Sequence, residues 1–232
     1  MARQPITSKY PKTGLALGPG FLDQRPEAAA LVGQCITIWA EVELRVARLL
    51  AKMLHANTAP AIAMYQALRN ERARKEVLDA VADFTLDGSD RDLYDAISAA
   101  KTSLSKQRND LAHGLFGIAS ESPDGIAWIS LGDRLKHMIE IDAQFDRGER
   151  PSISQFHKLK DFVSIYEIRD LAEIKSEMEK LHEIIRIFIS YIGQTNDQSR
   201  AELYQRITSE PIIQKSAPHS GGLPGDAPFL NS

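Results

Sequence analysis

Three residues near the middle of the chain have side chains suited to acid–base and anion chemistry: Arg108, Asn109 and His113. A histidine titrates near neutral pH, so its imidazole can take up or release a proton during a reaction. An arginine guanidinium binds a phosphate through paired charge-assisted hydrogen bonds and stabilises negative charge that develops there. Asn109 can orient either the phosphate or the imidazole. These residues form the candidate catalytic site.

An arginine followed, after four to six intervening residues, by a histidine occurs at three places in the chain. The pair Arg48–His55 belongs to an apolar helix and has a leucine after the arginine. The pair Arg150–His157 lies in a polar loop and has a proline after the arginine. Only Arg108–His113 combines a helix end, a polar neighbour and a following glycine, Gly114, so context rather than the pattern selects it.

A straight helix does not bring Arg108 and His113 together. Five residue steps at about 100° each place their side chains about 140° apart, whereas Asn109 and His113 share a face. The two groups can meet if the helix ends before His113, if the long arginine side chain reaches round, or if the same motif of a second subunit completes the site. A functional interpretation is therefore also a statement about assembly.

The same residues fit a purely structural role at a helix C-terminus. His113 would lie at the negative end of the helix dipole, and Gly114 would follow as the capping glycine. Arg108 would then pair with Glu41, Glu43 or a carboxylate of the last helix. The partner of Arg108 is the observation that separates the two interpretations.

The elements that must position the motif are helices. Apolar residues recur at helical spacing over residues 23–57, 58–68, 71–84 and 89–113, each with start or end signals. Trp39 is expected to be a core anchor of the first helix. A last long helix begins at Asp170, and its apolar residues alternate three and four apart: Leu171, Ile174, Met178, Leu181, Ile185, Phe188 and Ile192. That stripe fits a coiled-coil seam between subunits or, as favoured here, packing inside one chain.

The hydrophobic period changes after Gly114. Residues 115–119 and 126–131 flank the turn-forming segment 122–125 and predict a β-hairpin. Residues 138–141 and 162–168 can add strands. The predicted fold class is mainly α, an up-and-down helical bundle with a small β-rich insert between the fourth and last long helices. The insert covers residues 114–168 and is a hairpin or a short antiparallel sheet.

The chain ends have little periodicity. Prolines and glycines in residues 1–22 predict a flexible N-terminal arm, and those in residues 209–232 predict a disordered C-terminal tail. A weak helix is expected over residues 198–207. One helical domain, residues 23–208, remains between the two ends.

Composition excludes several classes of protein. The formal net charge of −3 argues against nucleic-acid binding by bulk positive charge, although a local patch is compatible with it. Cys35 stands alone, which predicts a buried thiol in a reducing compartment. No signal peptide and no membrane span are predicted, so the expected location is cytoplasmic. The six histidines are scattered and no nucleotide-binding motif occurs, so neither a metal nor a cofactor is expected.

A helical bundle with Arg108, the polar Asn109 and His113 at the end of a long helix resembles the HEPN superfamily. That superfamily is marked by an arginine and a histidine separated by four to six residues. The resemblance covers roughly residues 25–115 and 170–193, with the β-rich insert as an addition. HEPN proteins are helical, commonly dimeric domains, and many are RNA-cleaving toxins or defence proteins.

The resemblance implies a composite site at a two-fold interface, with Arg108, His113 and Asn109 as its catalytic residues. His113 would move a proton to or from a ribose oxygen, Arg108 would hold the scissile phosphate, and Asn109 would support them. The products would be a 2′,3′-cyclic phosphate and a 5′-hydroxyl. The expected partners are a second copy of the chain, an RNA substrate, and a neutralising antitoxin or other partner protein.

The sequence thus favours a homodimeric, metal-independent endoribonuclease of toxin or phage-defence type. The alternative is a non-catalytic helical module that uses the same fold to dimerise or to dock a partner.

Overall fold

The structure is a computed structural model that describes residues 3–150 and 158–216. The fold is mainly α-helical with a small antiparallel sheet, which confirms the predicted class. Two compact units are formed, one by residues 3–44, 103–150 and 158–182 and the other by residues 45–102 and 183–216. Three long helices contribute residues to both units.

Each predicted helix is present, and three further helices were not predicted: Ile6–Lys9, Leu131–Asp146 and Pro211–Ser216. The described helices are α1 (Ile6–Lys9), α2 (Pro26–Met53), α3 (Thr58–Ala67), α4 (Glu71–Thr85), α5 (Gly88–His113), α6 (Leu131–Asp146), α7 (Ile168–Tyr191), α8 (Asp197–Thr208) and α9 (Pro211–Ser216). Short 3-10 helices cover Leu22–Gln24 and Lys160–Phe162.

Polar side chains start several of these helices. The Asn70 side chain accepts a hydrogen bond from the backbone N–H of Ala73 at 2.7 Å, at the start of α4. Asn196 caps α8 in the same way, through the backbone N–H of Ser199 at 2.9 Å. Each contact satisfies an N–H group that has no partner inside the helix, which fixes where the helix begins.

Five strands form one antiparallel sheet in the first unit. They are β1 (Gln4–Pro5), β2 (Leu15–Leu17), β3 (Gly114–Ala119), β4 (Ser122–Ser130) and β5 (Ser164–Tyr166), in the spatial order β1-β5-β4-β3-β2. Gly114 pairs with Ser130, so the first residue after α5 lies opposite the last residue before α6. The predicted hairpin is therefore present, as part of a larger sheet.

The N-terminal segment differs from the flexible arm predicted for residues 1–22. Both outer strands of the sheet come from it, β1 beside β5 and β2 beside β3. Ile6 is fully buried in the core of the sheet. Backbone pairing to distant strands supplies the order that composition does not reveal, because its partners lie more than 100 residues away in the sequence.

Two details of the predicted insert are also corrected. Residues 138–141, expected to form a strand, belong to α6, and the predicted turn at 122–125 lies inside β4. Ser130 caps α6 by accepting a hydrogen bond from the backbone N–H of Asp133 at 3.0 Å. Its hydroxyl also lies 2.6 Å from the Asp133 carboxylate. A short apolar run fits a strand or a helix equally well, and here the cap decides for the helix.

The C-terminal tail begins later than predicted. Residues 211–216 form α9, and Ile212 and Ile213 are buried. Burial of two adjacent isoleucines stabilises this segment, and the proline that starts it is well suited to the first position of a helix. The rest of the predicted tail, residues 217–232, lies outside the described residues.

The apolar stripe of α7 is buried inside a single chain. Six of its members are at most 2% exposed: Leu171, Ile174, Met178, Leu181, Ile185 and Phe188. Ile192 follows the helix and is half-buried. Packing inside the chain, the favoured alternative, is confirmed, and these residues are not available as an exposed seam for a second subunit.

One helix of the first unit leaves an apolar face uncovered. Five large apolar side chains of α6 are between 43% and 66% exposed: Leu131, Leu135, Met138, Ile139 and Phe145. At about 100° per residue their side chains fall within an arc of about 120°, on one side of the helix. Contiguous exposed apolar surface of this kind is typical of an interaction site.

Candidate functional site

The helix that carries the motif runs unbroken to His113. α5 ends at that residue, and β3 begins at the next one, Gly114. The first way of joining the two groups, a helix that ends before His113, therefore does not apply. Arg108 and His113 stay five steps apart on one helix, about 7.5 Å along its axis and about 140° around it.

The Arg108 guanidinium is turned toward its own neighbour and toward α2. Its NH1 group donates a hydrogen bond to Asn109 Oδ1 at 2.9 Å. Its Cζ atom lies 5.8 Å from the centre of the Trp39 ring, within the distance of a cation–π contact. Trp39 is 2% exposed and is a core residue, as predicted. The structure thus brings Arg108 and Asn109 together.

Arg108 has no carboxylate partner among residues 3–150 and 158–216. The structural interpretation expected a pair with Glu41, Glu43 or a carboxylate of the last helix, and Arg108 forms none of these pairs within the described residues. The guanidinium is half-buried and keeps donors that neither Asn109 nor Trp39 uses. An anion could occupy those donors.

His113 is exposed at the last position of α5, away from the Arg108 side chain. A histidine at this end of a helix is a common companion of the free carbonyls of the last turn. An exposed imidazole can also reach a group on a second molecule. The position is therefore compatible with both the structural and the catalytic interpretation.

Gly114 is not a capping glycine of the expected kind. It is absent from the described residues with left-handed backbone and instead starts β3. A Cβ atom at this position would lie 1.7 Å from Nε1 of Trp128. Glycine is required here because the indole of β4 packs directly against the backbone.

Asp110, inside the motif, is held by groups that sequence reasoning missed. Its carboxylate forms an ion pair with Arg3, and its backbone carbonyl accepts a hydrogen bond from Trp128 Nε1 at 2.7 Å. The Arg3 guanidinium also lies 3.8 Å above the Trp128 ring. No local signal marks Arg3, because its partners lie more than 100 residues away. Trp128 was only identifiable as a large residue in a predicted strand.

The electrostatics of this contact follow from its burial. Burial alone would lower the pKa of the Arg3 guanidinium, but hydrogen bonding to Asp110 and the charge on that carboxylate raise it above its ordinary value. Burial raises the pKa of the nearby Tyr166 hydroxyl, against the opposing effect of Arg3. Arg3 therefore stays charged and Tyr166 neutral.

The described part of the chain contains neither a cluster of metal-binding side chains nor a helix able to span a membrane. Across residues 3–150 and 158–216, no three histidine, cysteine, aspartate or glutamate side chains lie close enough together to hold a metal ion. No helix within those residues has both the length and the apolar character that crossing a bilayer requires.

The third arginine–histidine pair, Arg150–His157, ends outside the described residues. Comparison with family models, with curated proteins and with solved structures finds no match to this chain.

Proposed function

We propose that this protein is a metal-independent endoribonuclease of HEPN type that works as a homodimer. Its composite site uses Arg108 and Asn109 of one subunit with His113 of the other. The proposed setting is a toxin or a phage-defence protein, held in check by an antitoxin or other partner protein. One observation carries the proposal: Arg108 is half-buried, bonded to Asn109 and without a carboxylate partner among the described residues, while His113 is exposed on the same unbroken helix.

The unbroken helix also explains why a second copy is part of the proposal. The side chains of Arg108 and His113 point about 140° apart on one straight helix, so they are not placed to contact the same phosphate. A two-fold axis near the end of α5 would bring the motif of each subunit opposite that of the other. Each site would then take its phosphate-binding group and its proton-transfer group from different chains.

The chemistry then divides between the residues. His113 removes the proton from a ribose 2′-hydroxyl, and the freed oxygen attacks the adjacent phosphorus. The bond from phosphorus to the 5′-oxygen breaks, and that oxygen takes up a proton from the imidazolium. Arg108 binds the phosphate oxygens and stabilises the charge that develops on them. Asn109 keeps the guanidinium oriented through the hydrogen bond between their side chains.

Cleavage of a single-stranded RNA by the purified protein tests this proposal. His113→Gln keeps a hydrogen-bonding side chain but cannot titrate, and we expect the rate to fall by about 10² to 10⁴-fold. Arg108→Lys keeps the charge but loses the planar fork, and a fall of about 10² is expected. Arg69→Ala, a change at an exposed arginine outside the motif, should leave the rate unchanged.

The products and the metal requirement complete that test. Cleavage should continue in excess chelator, and the fragments should end in 2′,3′-cyclic phosphates. RNA that stays intact with the wild-type protein contradicts the proposal. Equal cleavage by His113→Gln and the wild-type protein contradicts it as well.

A second candidate function, a non-catalytic module that pairs with itself, is supported by the exposed apolar face of α6. An antiparallel pair of α6 helices with its two-fold axis at Met138 places Leu131 opposite Phe145 of a second copy. The same register places Arg134 opposite Asp142 and Lys136 opposite Glu140 in sequence position. Apolar residues then meet apolar residues, and opposite charges meet along the edge.

This pairing differs from the composite-site dimer. Fourteen residue steps separate the two ends of the apolar face, about 21 Å along the helix. Gly114 pairs with Ser130, so His113 lies near the start of α6. Antiparallel α6 helices would hold the two His113 side chains at opposite ends, too far apart for a shared site.

A cysteine at the axis tests the α6 pairing. Under mild oxidation Met138→Cys should form a disulfide-linked dimer, because the two copies of that residue face each other across the axis. Ser176→Cys, an exposed position on α7, should stay monomeric on the same non-reducing gel. Equal cross-linking of the two variants would contradict the α6 interface.

A further inference from the structure

The second arginine–histidine pair lies where the chain has a cavity. In the second unit, Arg48, Lys52 and His55 line a cavity of about 630 Å³, together with Thr58. The three basic residues are four and three positions apart, so they follow one face at the end of α2. The sequence pattern alone gave no reason to group Lys52 with this pair.

His55 has an unusual backbone conformation. Its φ is 49°, in the left-handed region that residues other than glycine seldom adopt. The backbone N–H of Ala56 donates a hydrogen bond to the backbone carbonyl of Ala51 at 3.0 Å. The backbone N–H of His55 donates one to the backbone carbonyl of Lys52 at 3.1 Å. These two bonds define a Schellman motif, in which glycine is the favoured residue at the position that His55 occupies. A histidine at this point costs stability, and its side chain lines the cavity.

The Lys52 ammonium group lies in a defined position beside Gly193. A Cβ atom on Gly193 would lie 2.5 Å from Lys52 Nζ, so the glycine after α7 leaves room for the ammonium group. Lys52 is half-buried, unlike the exposed Arg48 and His55. The side chain is held at the cavity instead of being free in solvent.

The three basic groups have no acidic partner. Among residues 3–150 and 158–216, no carboxylate forms an ion pair with Arg48, Lys52 or His55. Several other basic residues of the same unit are paired, as in Arg72–Glu76 and Lys75–Asp79. Positive groups gathered on one face repel one another unless an anion binds between them.

The start of α3 adds donors at the same place. Thr58, its first residue, lines the cavity. The preceding Asn57 makes no side-chain hydrogen bond to the first turn, so the N–H groups there are not capped. The first-turn N–H groups of a helix are well suited to bind an anion. Here Thr58 and Ala59 carry such groups, whereas Pro60 has no N–H and the N–H of Ala61 bonds to the Asn57 carbonyl at 3.3 Å.

We infer that this cavity binds a phosphate group, either a phosphodiester of an RNA strand or the phosphate of a small molecule. Arg48 and Lys52 supply the positive charge, His55 a ring N–H donor, and the start of α3 backbone donors. The site uses none of the residues proposed for catalysis. It is also a local basic surface on a chain whose net charge is negative.

Binding is measured in the His113→Ala chain, so that the result does not depend on whether the wild-type protein cleaves RNA. The probes are inorganic phosphate and 5′-AMP by calorimetry, and a fluorescein-labelled single-stranded RNA by anisotropy. The double change Arg48→Ala/Lys52→Ala should weaken binding at least about tenfold, which corresponds to two lost charge-assisted contacts. Arg69→Ala, an exposed arginine outside the cavity, is the matched control and should change the affinity less than twofold.

The salt dependence identifies the source of the phosphate. If RNA is the ligand, the slope of log K against log salt should be smaller in magnitude by about 1.4 in the double variant. Each of the two lost contacts with a single strand contributes about 0.7. If a small phosphate is the ligand, the affinity for phosphate or 5′-AMP should be lower in the double variant than in Arg69→Ala. The affinity for RNA should then be weak and equal in the two variants. Either result supports the site.

His55→Gly separates binding from folding. Glycine relieves the left-handed backbone, so the thermal midpoint should rise while phosphate affinity falls. A structural role alone would raise the midpoint and leave the affinity unchanged. The inference is overturned if no probe binds more weakly to Arg48→Ala/Lys52→Ala than to Arg69→Ala.

Discussion

The indole N–H of Trp128 donates a hydrogen bond to the backbone carbonyl of Asp110 at 2.7 Å. The last four carbonyls of a helix have no partner within it, and that of Asp110 is the first of these four in α5. A strand residue therefore completes the end of the helix that carries the motif. The position of His113, three residues later, depends on this contact.

Trp128→Phe should loosen the end of α5. The side chain stays aromatic and apolar, but the partly buried backbone carbonyl of Asp110 loses its donor, at a cost of about 1 to 3 kcal/mol in the free energy of unfolding. Urea denaturation followed by circular dichroism measures this change. Asp110→Asn keeps the backbone carbonyl and removes only the partly exposed ion pair with Arg3. It should therefore lower the free energy of unfolding by less than about 1 kcal/mol. Equal losses in the two variants would contradict the role given to Trp128.

Gly114→Ala should destabilise the protein. The new Cβ would lie 1.7 Å from Trp128 Nε1, and relief of that overlap requires the strand or the indole to move. Crowding of this kind costs about 1 to 3 kcal/mol.

Gly33→Ala is the matched control for that change. Gly33 is exposed in α2, and a Cβ atom added there would have no other atom within 4 Å. Because alanine favours a helix more than glycine does, Gly33→Ala should raise the free energy of unfolding by about 0.5 to 1 kcal/mol. Urea midpoints that move in opposite directions are the expected result. A neutral Gly114→Ala would show that Trp128 does not pack as described.

The N-terminal segment should lose stability in acid. Hydrogen bonding to Lys9 lowers the pKa of the Glu167 carboxyl below its ordinary value of 4.5, and the charges of Lys9 and Arg169 and a hydrogen bond from Tyr10 act in the same direction. Because the folded-state pKa is the lower one, the stabilisation is complete above the unfolded-state pKa and is lost as the pH falls through the folded-state pKa. The effect should stay below about 1 kcal/mol, since water screens the pair.

Unfolding by urea between pH 7 and pH 3 measures this loss. Glu167→Gln should flatten the fall below about pH 4.5, whereas Glu202→Gln, a change at an exposed position on α8, should leave the curve unchanged. A curve for Glu167→Gln that matches the wild type would rule out the contribution of this pair.

Cys35 should resist alkylation in the folded protein. Burial raises the pKa of its thiol to about 11, and the side chain is fully buried. Iodoacetamide at pH 8 should label it only after urea is added, as measured by mass spectrometry. Rapid labelling without denaturant would indicate that α2 opens locally near this residue.

Local periodicity was sufficient to predict most of the helices. The α7 stripe from Leu171 to Phe188 repeats over several turns, and its burial could be read from spacing alone. The four residues 138–141 are too few to distinguish a strand from a helix. Ser130 and Asp133 form the cap that starts the helix there, and the prediction made no use of this pair.

The surroundings of the motif could not be predicted from local sequence. Arg3 reaches Asp110 and Trp128 only through the pairing of β1 with a strand more than 150 residues later. Gly114 was assigned to a helix cap, whereas the structure requires glycine because of Trp128. Long-range contacts of this kind leave no periodic signal in a single sequence.

The composite site is tested most directly by combining two inactive subunits. Arg108→Ala and His113→Ala chains, each with a different tag, are co-expressed, and dimers that carry both tags are purified. In a composite arrangement one site of the mixed dimer lacks both groups, while the other has Arg108 from one chain and His113 from the other. We expect RNA cleavage to return in the mixed dimer and to be absent from each parent. If every site belonged to a single chain, each would lack one group, and mixed dimers without cleavage would contradict the composite site.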